Sequence, residues 1–247
     1  RNPGGQGQAL TNSQVPVMMM MNVARRQGLV ITIDGPAGVG KSTTAFALAS
    51  RLGYAYFDTG ALYRAIAWAV HRAGIDCEDA AAMASLLASM EMQVFLEGGV
   101  TRIVIDNEDV TSQLRSPDIS RLASAVAMLP SVRQRLLPIQ QQYGRVGGIV
   151  VEGRDMGTRV FPDADAKFFL DADLDTRTTR RYREMVRAGY PEQPSEIQRH
   201  IQDRDRNDRS RRTAPLKPAD DAVRIDSSSL TVDQVVENMM DWIPGRS

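Results

Sequence analysis

The 247-residue chain has a single cysteine, Cys77, so it forms no disulfide within itself and offers no thiolate cluster for zinc. Its two histidines, His71 and His200, sit in helical segments without a cysteine or carboxylate arrangement resembling a metal site, which favours packing or surface roles for both. No run of about 18 apolar residues occurs, and the methionines at 18–21 are too few and too polar-flanked to span a bilayer. Arg25 and Arg26 follow that stretch, whereas a secretory signal carries its charges in front. The net charge is zero, which removes the simplest argument for wholesale attraction to nucleic acid or membrane. What is present is an ordinary globular balance, 43% hydrophobic and 24% charged. A chain of this size buries roughly 70% of its unfolded surface without staples. The expectation is a cytoplasmic protein, bound to neither membrane nor nucleic acid.

Lysine is also scarce. Lys41, Lys167 and Lys217 are the only three among 30 basic residues, and the other 27 are arginine. Between 176 and 217 there are twelve basic and six acidic side chains. Arginine in such excess suits planar, bidentate capture of phosphate or carboxylate. A solvated, salt-bridged helical face would read the same way.

Residues 1–27, rich in Gly, Asn and Gln at their start, read as a disordered leader. From 28 to 247 short apolar strands alternate with helices. Residues 29–33 form a β-branched strand, and helices are expected over 41–52, stopped by Gly53, over 60–72, closed by Gly74, and over 80–90. The period then drops to two at 92–96, 101–105 and 108–110, a small meander turned at Gly98-Gly99 and Asp106-Asn107. Helices follow over 118–128 and 131–143, the second kinked or broken by Pro138. Strands at 148–151, 167–170 and 222–225 bracket an Arg-rich helix, 173–188, stopped by Gly189. Ser195 and Thr231 each open a further helix with a capping box. The pattern is α/β: a central parallel sheet flanked by helices, with the antiparallel meander as an inserted lobe.

The strongest motif is Gly35-Pro36-Ala37-Gly38-Val39-Gly40-Lys41-Ser42, followed by Thr43. It sits between a strand and a helix, the context in which backbone N–H groups and a helix N-terminus cradle phosphate. Lys41 would bridge the β- and γ-phosphates of ATP, and the Ser42 hydroxyl would ligate Mg²⁺. Asp34, just before the loop, would either orient a metal-bound water or stabilise the turn. No lysine follows an asparagine, so the guanine-reading motif of GTPases is absent. The segment 148–155 begins like the acidic strand of a transport ATPase, but Gly153-Arg154-Asp155 follows and no Gly-rich signature occurs. Kinases of small molecules or nucleotides remain.

Phe57-Asp58-Thr59-Gly60-Ala61-Leu62-Tyr63-Arg64, then Glu152-Gly153-Arg154-Asp155-Met156-Gly157-Thr158, then 204–216, closely resemble the bacterial cytidylate kinases, a family of P-loop nucleoside monophosphate kinases. The similarity runs from about 29 to 243. The resemblance implies phosphoryl transfer from ATP to CMP or dCMP. It also implies a parallel-sheet core, a monophosphate-binding lobe over about 58–145 and an Arg-rich lid over about 190–215. Thr59 and Arg64 then lie at the acceptor monophosphate, with Arg154 on its phosphate and Asp155 in the same pocket. Ser124 and Arg133 fall where the family reads cytosine, and Asp208 and Arg211 match its sugar- and base-side contacts. Many relatives carry serine where this chain has Thr59, which retains the hydroxyl. The chain is expected to act as a monomer.

If 203–212 is helical, Arg204, Asp208, Arg211 and Arg212 share a sector of about 100°, with Arg206 and Arg209 outside it. Three guanidinium groups around one carboxylate would spread phosphate charge; the bland reading is an i,i+4 pair of Arg204 and Asp208. Lys41, Arg154, Arg204 and Arg211 are thus the expected catalytic cations. No general base is needed, because the second pKa of an acceptor phosphate is about 6. Alternatives are a UMP, AMP or shikimate kinase, or a nucleic-acid-stimulated ATPase using the arginines of 176–217. Trp68, Trp242, Met83 and Met90 are expected to pack, and Glu152 to help organise Arg154 or serve as a structural partner.

Overall fold

The computed structural model describes residues 28–245, so the leader expected at 1–27 lies outside the described residues. β1 (Val30–Asp34) is buried at all five positions, as a strand with partners on both edges and helices on both faces must be. Loop 35–40 leads into α1 (Lys41–Leu52). Gly38 and Gly40 hold φ of +79° and +92° there, conformations that L side chains rarely adopt, so the loop's curvature depends on glycine. β2 (Ala55–Asp58) runs directly into α2 (Thr59–Ala73). The sequence reading places no strand at β2, because four residues are too few to show a period.

α3 (Ala80–Ser89) precedes the small sheet of β3 (Met92–Glu97), β4 (Val100–Ile105) and β5 (Glu108–Asp109), antiparallel in that order as expected. Gly98, Gly99, Asp106 and Asn107 all take positive φ, so the two turns fall where the sequence puts them. α4 (Pro117–Val126) and α5 (Pro130–Gly144) follow. Pro138 does not break α5. It lies on the exposed side, as does Gln134 one turn earlier, so the carbonyl left without its helix bond faces water.

β6 (Ile149–Glu152), a single π-turn over Met156–Val160, β7 (Ala166–Asp171), α6 (Leu174–Arg187), α7 (Pro194–Ser210), β8 (Val223–Asp226) and α8 (Val232–Met240) complete the chain. The large sheet has the order β2-β6-β1-β7-β8 and all its pairs are parallel. Alternation along β1 divides the core. Ile31 and Ile33 join Leu48 of α1 and Met239 of α8, while Val30 joins Phe57, Leu62 of α2 and Leu136 of α5. Each such side chain contributes about 1.5–3 kcal/mol by leaving water.

Three sequence expectations need correction. α7 starts at Pro194, with Gln193 as its N-cap and no side-chain cap bond, so Ser195 forms no capping box; proline suits the first helical position. α7 also ends at Ser210, and Arg211 leaves the helix with φ −56° and ψ 131°. The sector drawn through Arg211 and Arg212 therefore does not exist, and Arg212 is exposed. Trp242 lies beyond α8 and is 64% exposed, whereas Trp68, Met83 and Met90 are buried. The Thr231–Gln234 box of α8 is present in both directions.

Candidate active site

The parallel register brings three acidic strand ends together at the carboxyl edge of the large sheet. Ile33 and Asp58 both pair with Glu152, which sets Asp34, Asp58 and Glu152 side by side below the phosphate loop. In open α/β sheets this edge is where ligands bind. Asp34 is buried and accepts from the Met156 and Gly157 N–H groups at 2.9 and 2.8 Å. Of its two possible roles, the one visible is structural: it anchors the π-turn. Burial pushes its carboxyl up to about 6 against those two hydrogen bonds.

Glu152 accepts from the Tyr56 hydroxyl at 2.5 Å, and its carbonyl accepts from Thr59 Oγ1 at 2.7 Å. Burial, and then the neighbouring Asp58, raise its pKa; burial likewise raises Tyr56. Glu152 therefore does not bind Arg154, and is instead a buried acid beside Lys41. Asp58 caps α2 by accepting from the Ala61 N–H at 3.1 Å, and it holds Arg64 Nη2 at 2.6 Å. Burial pushes Asp58 up, but Arg64 and Arg115 outweigh it and hold the carboxyl below its usual range. Arg64 Nε is buried without a hydrogen-bond partner among the described residues.

In the phosphate loop, Gly35 to Gly40 curve around the start of α1, with Ser42 and Thr43 exposed at its first turn. Lys41 is buried and donates to the Pro36 carbonyl at 2.6 Å. Burial, then the cations Arg154 and Arg204, lower its pKa. Arg154, after β6, donates through Nε to Asp208 of α7 at 2.8 Å and through Nη1 to the Gly153 carbonyl at 3.0 Å. Asp208 also meets Arg211 at 3.0 Å. Burial raises Asp208, and the surrounding Arg154, Arg204 and Arg211 bring it below the usual carboxylate range. Arg204 is pushed down to about 10 by burial and then by Arg154.

A further buried pair, Arg133 with Asp155, lies beside this group, with the Tyr63 ring 5.6 Å from the Arg133 guanidinium carbon. Burial pushes Tyr63 up to about 12. Ser124 on α4 has a buried hydroxyl with no partner among the described residues. Lys41, Arg154, Arg204, Arg211, Asp208, Arg133 and Asp155 thus form one connected set of charges, with Thr59 and Arg64 at its β2–α2 side. Tyr56, Arg115, Arg177 and Asp205 were not legible in the sequence as members of this region. For Asp205 a signal existed, one helical turn before Asp208 among alternating arginines. The arginines of 176–217 divide: Arg177, Arg204 and Arg211 turn inward, while Arg181 and Arg206 make i,i+3 pairs with Glu184 and Asp203.

A glycine-rich loop between a parallel strand and a helix, with one lysine seated in it and paired arginines facing it, defines a P-loop phosphotransferase. Residues 31–244 match the family model described as cytidylate kinase. A cytidylate kinase of Citrifermentans bemidjiense is 43% identical over 226 residues, 92% of this chain and 97% of that protein. One of Geobacter sulfurreducens is 45% identical over 219 residues, 89% and 94% of the two chains. One of Vibrio parahaemolyticus is 41% identical over 217 residues, 88% and 96%. The chain belongs to the cytidylate kinase family. Among the described residues, no helix is long and apolar enough to cross a membrane.

Proposed function

We propose that the chain transfers the terminal phosphoryl group of ATP to CMP or dCMP, giving ADP and the pyrimidine diphosphate, with loop 35–43 holding the donor and the arginine–carboxylate set holding the acceptor. The observation that carries this reading is the buried Lys41, seated in the phosphate loop beside Arg154 and Arg204, a crowding of positive charge in which Asp208 and Glu152 are the neighbouring anions. Two phosphate-bearing ligands meeting there would relieve that crowding. The cations in turn would offset the repulsion between two polyanions and stabilise the charge of an in-line transition state.

In this reading Arg64 and Arg154 take the acceptor phosphate, and the partnerless Arg64 Nε supports that role. The Ser124 hydroxyl and Arg133 read the base, the hydroxyl being a buried polar atom that lacks only a ligand group. Asp155 keeps Arg133 in place, and Asp208 orients Arg154 and Arg211 while reaching the sugar. The acceptor oxygen is already ionised at neutral pH, so proton transfer plays no part. Segment 190–215 acts as a lid that excludes water. The protein works as a cytoplasmic monomer in pyrimidine nucleotide metabolism.

The donor atoms available for a divalent ion are hard oxygens, namely the exposed Ser42 hydroxyl at the head of α1 with Glu152 behind it. No cluster of three metal-binding side chains occurs among the described residues. That fits Mg²⁺, which binds through one or two protein oxygens, substrate phosphates and water. When bound, it would neutralise part of the charge on the donor's phosphates. The test is an acceptor panel: ADP formation is followed with CMP, dCMP, UMP, AMP and shikimate. Preference for cytidine nucleotides is expected, and preference for any other acceptor overturns the reading.

A further inference from the structure

Asp205 sits on α7 between Arg204 and Asp208, is 4% exposed, and has no part in the chemistry above. Its Oδ1 accepts from the Ala37 N–H at 3.1 Å, across 168 residues of sequence. Its other oxygen accepts from Arg177 Nη1 of α6. That same nitrogen donates to the Ala37 carbonyl at 3.2 Å. One residue of the phosphate loop is therefore gripped at both its backbone polar groups, by α7 from one side and α6 from the other.

The contact is close by construction. A Cβ on Gly38 would stand 3.1 Å from the Arg177 carbonyl oxygen and 3.1 Å from its Cβ, so the loop rests directly on α6. Asp205 and Arg177 are each other's ion partner, so neither carries a charge free for substrate. The residues that the proposed function puts at the reacting groups are Arg204, one position before Asp205, and Asp208, three positions after it, both beside Arg154. On a helix these neighbours move rigidly with Asp205.

We infer that Asp205 is a positioning residue: by fastening α7 to Ala37 it fixes the height at which Arg204 and Asp208 meet Lys41 and Arg154. A displacement of about 1 Å at a reacting centre costs about 10²-fold in rate. The contacts of Asp205 with Ala37 and Arg177 are thus enough to matter for turnover. The inference deepens the phosphoryl-transfer reading and rests on it.

The test is a double-mutant cycle of Asp205→Ala with Arg204→Ala, run with whichever acceptor the wild-type chain turns over. An unexpected acceptor then overturns the proposed function and leaves this coupling measurement standing. Asp205→Ala should lower kcat about 10²-fold, with a smaller rise in KM for either nucleotide. In the Arg204→Ala background the same change should cost less than about threefold more, because the residue it positions is gone. Asp205→Asn, which keeps the buried volume and one acceptor, should lose about tenfold. It replaces alanine in the cycle if the alanine variant does not fold. An unchanged kcat, a loss confined to KM, or full multiplicative losses in the double variant would each overturn the inference.

Discussion

The two sides of the site are built by different means. The donor side is eight consecutive residues whose curvature comes from glycine backbone and whose one charge, Lys41, rests on a carbonyl of its own loop. The proposed acceptor side is assembled from buried ion pairs, two between distant elements, Arg133 with Asp155 and Arg154 with Asp208, and two local, Arg64 with Asp58 and Arg211 with Asp208. A backbone cradle is ready wherever its strand and helix form. A set of buried ion pairs is ready only when the whole fold is, and each cation already has a carboxylate partner before a ligand arrives.

Replacing Lys41 with alanine should separate the two sides most sharply. Turnover should fall about 10³-fold or more, while CMP affinity, read by calorimetry, stays within about threefold. A comparable loss of CMP affinity would mean that the two sides are not distinct. Next in size, Asp155→Ala should strand the Arg133 guanidinium in a buried site and lower stability by about 3 kcal/mol in urea melts. A stability equal to wild type would show that the pair is dispensable to the fold.

Asp34 joins the sides by tying the phosphate loop's strand to the Met156–Gly157 backbone. Asp34→Asn offers an NH₂ to one of two N–H donors and should cost about 1–3 kcal/mol. The pH dependence has a fixed sign. Asp34 titrates at about 6 in the fold against an ordinary 3.8, so its proton is bound more tightly in the native state. Its contribution is full below the unfolded value and is lost as pH rises through about 6. Wild-type stability should carry that falling slope between the two values, and the asparagine variant should lack it; identical slopes would assign the titration to another group. The smallest effect is expected at Ser124, where alanine removes a hydroxyl that has no partner among the described residues. CMP KM should rise about fivefold to tenfold with stability unchanged, and an unchanged KM would take Ser124 out of the pocket.

The same division governs how much could be read in advance. The phosphate loop, the helix stops at Gly53 and Gly74 and both meander turns are local, and the structure has them where the residues say. The two acceptor blocks were legible through resemblance, but their ion partners were not, because Asp208 lies 54 residues from Arg154. β2 went unseen since its four residues owe their extended form to pairing with β6. The arginine sector failed at Arg211 because the Asp208 carbonyl accepts from Leu216 N–H and Arg211 Nε, turning the chain back before another helical turn can form. At Pro194 a better helix start displaced the capping box that Ser195 suggested.

The Thr101 hydroxyl of β4 accepts from the Asp58 N–H at 2.9 Å. That single bond bolts the small sheet to the residue that both starts α2 and steadies Arg64. The meander is thereby coupled to the start of α2, and any displacement of β4 would carry Asp58 and the Arg64 that it holds along with it.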